Sequence, residues 1–312
     1  MLGARGAVDW AIETAGLSKR FRRRVAVQPI DLQVPAGSLF GYLGPNGAGK
    51  TTTIRMLLGL ARPTSGGARI LGRPVPRGLA SVRKRIGSVL ENPAFYPRLD
   101  ARVNLKILAR TGGDRPALAR IDELLERVGL ADRAGDKVRT YSHGMRQRLA
   151  FAAALLHDPE LIVLDEPATA LDPAGIRDVR SMLAGLRDEG RTIFISSHLL
   201  SEVEQICDQV GVVSKGRMMY QGTLAGLTAG GGRVRVAIDE PDQAEQAIRD
   251  AGWTVTRDGG ALIVEGAPAR DVNRALAGRG LYAHGIAEES RRLEDVFLEL
   301  TAEESPGGST SA

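Results

Sequence analysis

The stretch Gly44, Pro45, Asn46, Gly47, Ala48, Gly49, Lys50, Thr51 is where the reading of this 312-residue chain turns. It matches in full the phosphate-binding pattern of a glycine, four residues, a second glycine, a lysine and then serine or threonine. Just before it, Leu39 to Leu43 reads as a short strand. After it, Thr52 to Leu60 carries Ile54, Leu57, Leu58 and Leu60 at helical spacing. Strand, glycine loop and helix together give the motif its meaning: the glycines let backbone N–H groups turn toward phosphate oxygens, and the helix offers them its positive end. Lys50 adds a point charge at the β and γ phosphates, and the Thr51 hydroxyl can ligate Mg²⁺. The expected ligands are ATP and Mg²⁺.

Working outward, Leu161 to Leu164 is an uninterrupted apolar run that reads as a buried parallel strand, followed by Asp165, Glu166 and Pro167. Open α/β sheets bind ligands at the carboxyl ends of their strands. Asp165 is therefore expected to hold the Mg²⁺ shell, and Glu166 to accept a proton from the attacking water. A further strand, Thr192 to Ile195, leads through Ser196 and Ser197 to His198, placed to hydrogen-bond the γ phosphate. Between these motifs, Tyr141 to Arg148 opens a helix that runs on through Leu149 to Leu156. Its start carries Ser142 and Gly144, a second helix end suited to phosphate.

Together these residues resemble the nucleotide-binding subunit of ABC transporters, over residues 12 to 225 or so. The resemblance implies a P-loop at Gly44 to Thr52, Walker B acids at Asp165 and Glu166, a signature segment at Tyr141 to Met145 and a switch histidine at His198. The D-loop falls on Ala170, Leu171 and Asp172, and the aromatic that stacks on adenine falls on Phe21, where the family more often has tyrosine. It also implies that two copies pair head to tail, each ATP lying between the P-loop of one and the signature helix of the other. The membrane partner would be a separately encoded permease. Two residues depart from the family pattern. His143 stands where the signature usually has its first glycine, and Glu91, after the expected strand Ile86 to Leu90, stands where the family has glutamine. A carboxylate at Glu91 can still ligate Mg²⁺ or orient water, but it cannot donate a hydrogen bond. The stretch after it, Asn92 to Pro97, is expected to meet the membrane partner.

The implied fold is an α/β P-loop NTPase core (ABC ATPase) with a helical signature subdomain over residues 1–225, then a small α+β ferredoxin-like domain over 226–304 and a disordered tail at 305–312. The pattern of the second domain is strand (Val234 to Ile238), helix (Asp242 to Ala251), strand (Trp253 to Thr256), strand (Ala261 to Glu265), helix (Ala269 to Leu276) and a strand near Leu281. Gly230 to Gly232 reads as a hinge before it. A last helix presents Leu293, Val296, Phe297 and Leu300 on one face. That ending resembles the C-terminal extension of drug- and bacteriocin-export ATPases, with a regulatory or dimer-stabilising role.

Composition narrows the classes. A 43% hydrophobic chain can bury a core, and a single cysteine, Cys207, argues against a disulfide framework and fits a reducing cytosol. No apolar stretch reaches the ~18 residues of a membrane span, and no secretion signal opens the chain. The expected location is the cytoplasmic face of the plasma membrane, peripherally attached. A net charge of +5 suits anionic ligands. The densest basic run, Lys19, Arg20, Arg22, Arg23 and Arg24, reads as a solvated loop without the aromatics of a nucleic-acid platform. An exporter ATPase for drugs or antibiotics is the first reading. A lipid or glycolipid exporter ATPase, or a soluble ABC-type ATPase with a nucleotide-sensing role, is the alternative.

Overall fold

All five residues of Leu39–Leu43 are buried, as are all five of Leu161–Asp165 and all six of Thr192–Ser197. Strands without a polar face must be covered on both sides, which dictates a central, mostly parallel sheet. A computed structural model describes residues 9–90, 94–113, 115–169, 171–228, 233–289 and 291–302. In chain order the strands of the first unit are β1 (Trp10–Phe21), β2 (Arg24–Ile30), β3 (Gln33–Pro35), β4 (Leu39–Leu43), β5 (Ser65–Ile70), β6 (Arg73–Val75), β7 (Ile86–Val89), β8 (Leu161–Asp165), β9 (Thr192–Ser197), β10 (Gln209–Ser214) and β11 (Arg217–Thr223). Among the described residues the central sheet has the order β11-β10-β4-β9-β8-β7. Its pairings are parallel except for the edge strand β11. A second, antiparallel sheet has the order β2-β1-β5-β6, with β3 also on β1.

The core lies between these layers. Phe40 of β4 stacks on Phe194 of β9 at 5.7 Å between ring centroids, and Tyr42 packs on the same ring at 5.3 Å. The Tyr42 hydroxyl sits 3.3 Å from Thr53 Oγ1 on the helix Lys50–Leu57. Burial pushes that phenol's pKa up to about 12. The segment between β7 and β8 is helical, comprising Ala101–Thr111, Arg115–Ala119, Ile121–Arg127 and His143–Leu155. The Asp100 carboxylate caps the first of these by accepting from Val103 N at 2.7 Å.

The chain divides into two compact units between Thr223 and Leu224. The second unit contains β12 (Arg233–Ala237), β13 (Thr254–Asp258), β14 (Ala261–Glu265) and β15 (Gly285–Glu289). Helices Pro241–Asp250 and Ala269–Ala277 follow β12 and β14. The order β-α-β-β-α-β with an antiparallel sheet β13-β14-β12-β15 is a ferredoxin-like arrangement. Its own core includes Val234, Val236, Ile248, Val264, Val272 and Leu276. A last helix, Leu293–Ala302, buries Leu293 and Val296. Among the described residues no helix is long and apolar enough to cross a membrane.

Several local expectations are corrected. The basic run is a hairpin rather than a loop, with Lys19, Arg20 and Phe21 closing β1 and Arg24 opening β2. The stretch from Arg24 to Pro35 forms two strands, β2 and β3, separated by Asp31 and Leu32. The helix after the glycine loop stops at Leu57, leaving Leu60 64% exposed and outside its apolar face. The strand placed near Leu281 begins at Gly285. Glu91, Asn92, Pro93, Ala170, Gly230 to Gly232 and the tail from Ser305 lie outside the described residues.

Candidate active site

The register of the central sheet assembles the site. Leu43 pairs with Ser197, and Asp165 pairs with Ser196. The glycine loop, the acidic pair and His198 therefore leave neighbouring strands at one sheet edge. In the loop, a Cβ on Gly44 would stand 2.5 Å from Val213 O. Gly49, at φ 104°, would put one 2.6 Å from Ala26 O. Both positions need glycine for close backbone approach, and Gly49 also for its backbone angle. The helix that follows starts at Lys50.

Lys50 is 5% exposed. Its Nζ donates to Gly44 O at 2.6 Å and to Pro45 O at 3.4 Å, and lies 3.0 Å from Glu166 Oε1. The other Glu166 oxygen, Oε2, is 2.7 Å from His198 Nδ1, and the Thr169 hydroxyl approaches it at 3.5 Å. Glu166 has a left-handed φ of 51°, unusual for a residue with a side chain. Ser196 holds it there: the Glu166 amide donates to Ser196 Oγ at 3.0 Å and to Ser196 O at 3.2 Å. The same hydroxyl donates to Asp165 Oδ1 at 2.7 Å. Asp165 is 2% exposed, and its Oδ2 is buried with no hydrogen-bond partner. An unpartnered buried carboxylate oxygen is costly unless a cation completes it, so the donor set fits Mg²⁺, with Thr51 on the cleft wall as a second oxygen.

A cleft of about 730 Å³ is lined by Phe21, Pro45, Asn46, Gly47, Gly49, Lys50, Thr51, Thr52, Glu166 and His198, together with Arg24, Ala26 and Thr169. Most of the expected site residues thus meet in one place. Gly44 and Ala48 are buried and do not line the cleft, and Ala48 O accepts from Gly216 N at 3.0 Å. Ser142, Gly144 and Asp172 do not line this cleft. Ser142 caps the helix His143–Leu155 by accepting from Met145 N at 3.2 Å, and Asp172 caps Pro173–Asp188 by accepting from Gly175 N at 2.9 Å. Buried Gln147 donates to Pro167 O at 3.0 Å, tying the signature helix to the acidic loop. Sequence reading left Ser196, Thr169 and Arg24 without roles. Ser196 was legible only as a polar residue closing a buried strand.

This arrangement defines the chain's class: it belongs to the ABC transporter ATP-binding proteins, and it is an ATPase. Residues 27–169 match the ABC transporter family. Among its relatives are the bacitracin transport ATP-binding protein BcrA of Enterococcus faecalis, 38% identical over 94% of this chain and 97% of that one. The daunorubicin resistance ATP-binding protein DrrA3 of Streptomyces coeruleorubidus is 40% identical over 95% and 97%. The Nod factor export ATP-binding protein I of Cupriavidus metallidurans is 36% identical over 94% and 98%. Among solved structures, the ATP-binding subunit of an ABC transporter superposes with a TM-score of 0.65 at 28% identity, over 70% of this chain and 92% of that one. A dimeric ATP-binding cassette bound to ADP and Pi has the same fold, with a TM-score of 0.61 at 23% identity over 68% and 98%. Proteins of this family work with membrane permeases.

Proposed function

We propose that this chain is the motor subunit of a drug or antibiotic exporter, hydrolysing MgATP at the cytoplasmic face of the plasma membrane beside a separately encoded permease. The observation that carries the reading is that similarity to the bacitracin transport and daunorubicin resistance proteins extends over 94–95% of the chain. It therefore includes the second unit, which for the nucleotide chemistry alone would be dispensable.

In this reading the adenine stacks on Phe21 and the phosphates enter the glycine loop, where Lys50 exchanges Gly44 O and Glu166 for phosphate oxygens. Asp165 and Thr51 would hold Mg²⁺, which supplies charge neutralisation at the β and γ phosphates. Glu166 accepts the proton of the attacking water, and His198 orients Glu166 and the γ phosphate. Ser142 and Gly144 at one helix start, and Asp172 at another, serve the site of a second copy, so that two chains close head to tail around ATP. Glu91, the glutamine-loop position, is assigned to the same metal and water shell by resemblance.

The test is phosphate release from MgATP by the wild type and by Glu166→Gln, alone and co-expressed with the permease. Turnover that vanishes in the variant and rises with the permease is the expected result. Equal, negligible rates in every sample would favour a nucleotide-sensing subunit. The Nod factor export relative favours a second reading, export of a cargo other than a drug, for which our alternative is a lipid or glycolipid. Stimulation of turnover by drugs, rather than by lipids, in permease-containing vesicles separates the two.

A further inference from the structure

The arginines of the basic run at Lys19 to Arg24 have no part in the proposed function. Folding turns it into a hairpin in which Phe21 and Arg24 are directly opposed across β1 and β2. Opposed residues of an antiparallel pair project from the same face, so the aromatic ring and the guanidinium reach the cleft together, and both line it. Arg24 Nη2 lies 3.8 Å from where a Cβ on Gly47 would stand, so the cation bridges the space between the ring and the tip of the glycine loop. Lys19 Nζ lies 4.9 Å from the centroid of the Phe21 ring.

Most arginines that border acids in this chain are paired, as Arg85 is with Glu160 and Arg148 with Asp178. Arg24 differs. Among the described residues its side chain makes no hydrogen bond or ion pair. Among the described residues the cleft lining has one carboxylate, Glu166, and it is already engaged by Lys50 and His198. An unneutralised guanidinium therefore lines the same cleft as the glycine loop and Lys50.

We propose that Arg24 is a nucleotide-binding residue whose guanidinium contacts the α-phosphate. This rests on the reading that adenine stacks on Phe21 and the outer phosphates enter the glycine loop. Between those two points a nucleotide has only its ribose and α-phosphate, and that is the gap Arg24 spans. The planar fork offers two parallel N–H groups to phosphate oxygens, which a lysine ammonium cannot match. Arg22 and Arg23, at the hairpin turn, add to the positive field that gathers the anion without touching it.

The experiment measures the affinity of the full chain for ATP, ADP, AMP and adenosine at about 150 mM salt, where long-range fields are screened beyond ~8 Å. Wild type is compared with Arg24→Ala, Arg24→Lys, Arg23→Ala, Phe21→Ala and Lys50→Ala. A charge-assisted contact at an exposed site is expected to be worth roughly 10-fold. Arg24→Ala should lose that for ATP, ADP and AMP alike and leave adenosine unchanged, Arg24→Lys should recover part of it, and Arg23→Ala should stay within about twofold. Unchanged AMP binding in Arg24→Ala, or an equal loss in Arg23→Ala, overturns the contact. Adenosine weakened as much as ATP overturns it too. Failure of the underlying reading shows elsewhere: Phe21→Ala would then bind adenosine normally, or Lys50→Ala would bind ATP normally.

Discussion

Glu166 occupies a left-handed backbone position, φ 51°, that a residue with a Cβ enters at some cost. Two hydrogen bonds from its amide to Ser196 keep it there, and Ser196 also fixes Asp165. Glutamine has the same shape and the same backbone preferences. Glu166→Gln is therefore expected to fold and bind ATP normally while hydrolysis falls by ~10²-fold or more, read as nucleotide affinity against single-turnover rate. Ser196→Ala would strip Asp165 of its hydrogen-bond donor inside a dry site. Loss of one buried partner costs about 1–3 kcal/mol, so a lower Tm and a raised Mg²⁺ requirement in a turnover titration are expected. Gly144 makes a different case, because a Cβ there would meet only Leu171 Cδ2 at an ordinary 3.5 Å. Among the described residues nothing demands glycine at that position. Gly144→Ala should keep its Tm and its ATP affinity as a monomer and lose ATP-dependent dimer and at least ~10-fold in turnover, measured by sedimentation and phosphate release. The pattern of glycines, Lys50, the two acids and His198 was legible because phosphate chemistry fixes both residue type and spacing. Arg24 was not, since pairing across a hairpin cannot be read from a run of like charges.

β4, β8 and β14 run where the apolar pattern puts them, because unbroken runs between turn residues can satisfy only buried strands. β1 escaped that reading for a physical reason. Its pairings slip between Leu17 and Lys19 against β2, and between Ala15 and Ser18 against β5. Each slip exchanges the faces and erases the alternation. β15 was misplaced because Leu281 is a core residue without being in a strand. Its amide closes the helix Ala269–Ala277 by donating to Leu276 O at 3.0 Å, while the strand itself, Gly285–Glu289, has a single large apolar residue. At the amino ends of β8 and β9, Arg191 donates to Pro159 O, Asp158 Oδ1 and Glu189 Oε2 at 2.7, 2.6 and 3.1 Å. The bond from Arg191 holds the Asp158 carboxyl below its usual range, and bonds from Arg127 and then Arg191 do the same for Glu189. A depressed carboxyl pKa gives stability that is complete above the usual carboxylate value near ~4 and lost as pH falls through the depressed value. These groups are partly exposed, so the effect is modest. Arg191→Met should lower Tm by a few °C (~2–4) at pH 7, and the difference should narrow toward pH ~2 to what the Pro159 O bond contributes, checked by thermal melts across that range.

Each unit has its own core, one built on Ile12, Phe40 and Phe194 and the other on Val234, Ile248 and Leu276. A chain ending at Thr223 should therefore fold and bind ATP within about threefold of the full protein. If the second unit stabilises the dimer, the truncated chain will associate more weakly with ATP present, and analytical ultracentrifugation reads both outcomes. Within the nucleotide unit, Glu166 is held on one oxygen by Lys50 and on the other by His198. Both Glu166 oxygens are therefore already engaged before any nucleotide enters. In the function proposed above, a triphosphate would draw Lys50 to its own oxygens and free one Glu166 oxygen for the attacking water, so that the fuel itself would prepare the site that consumes it.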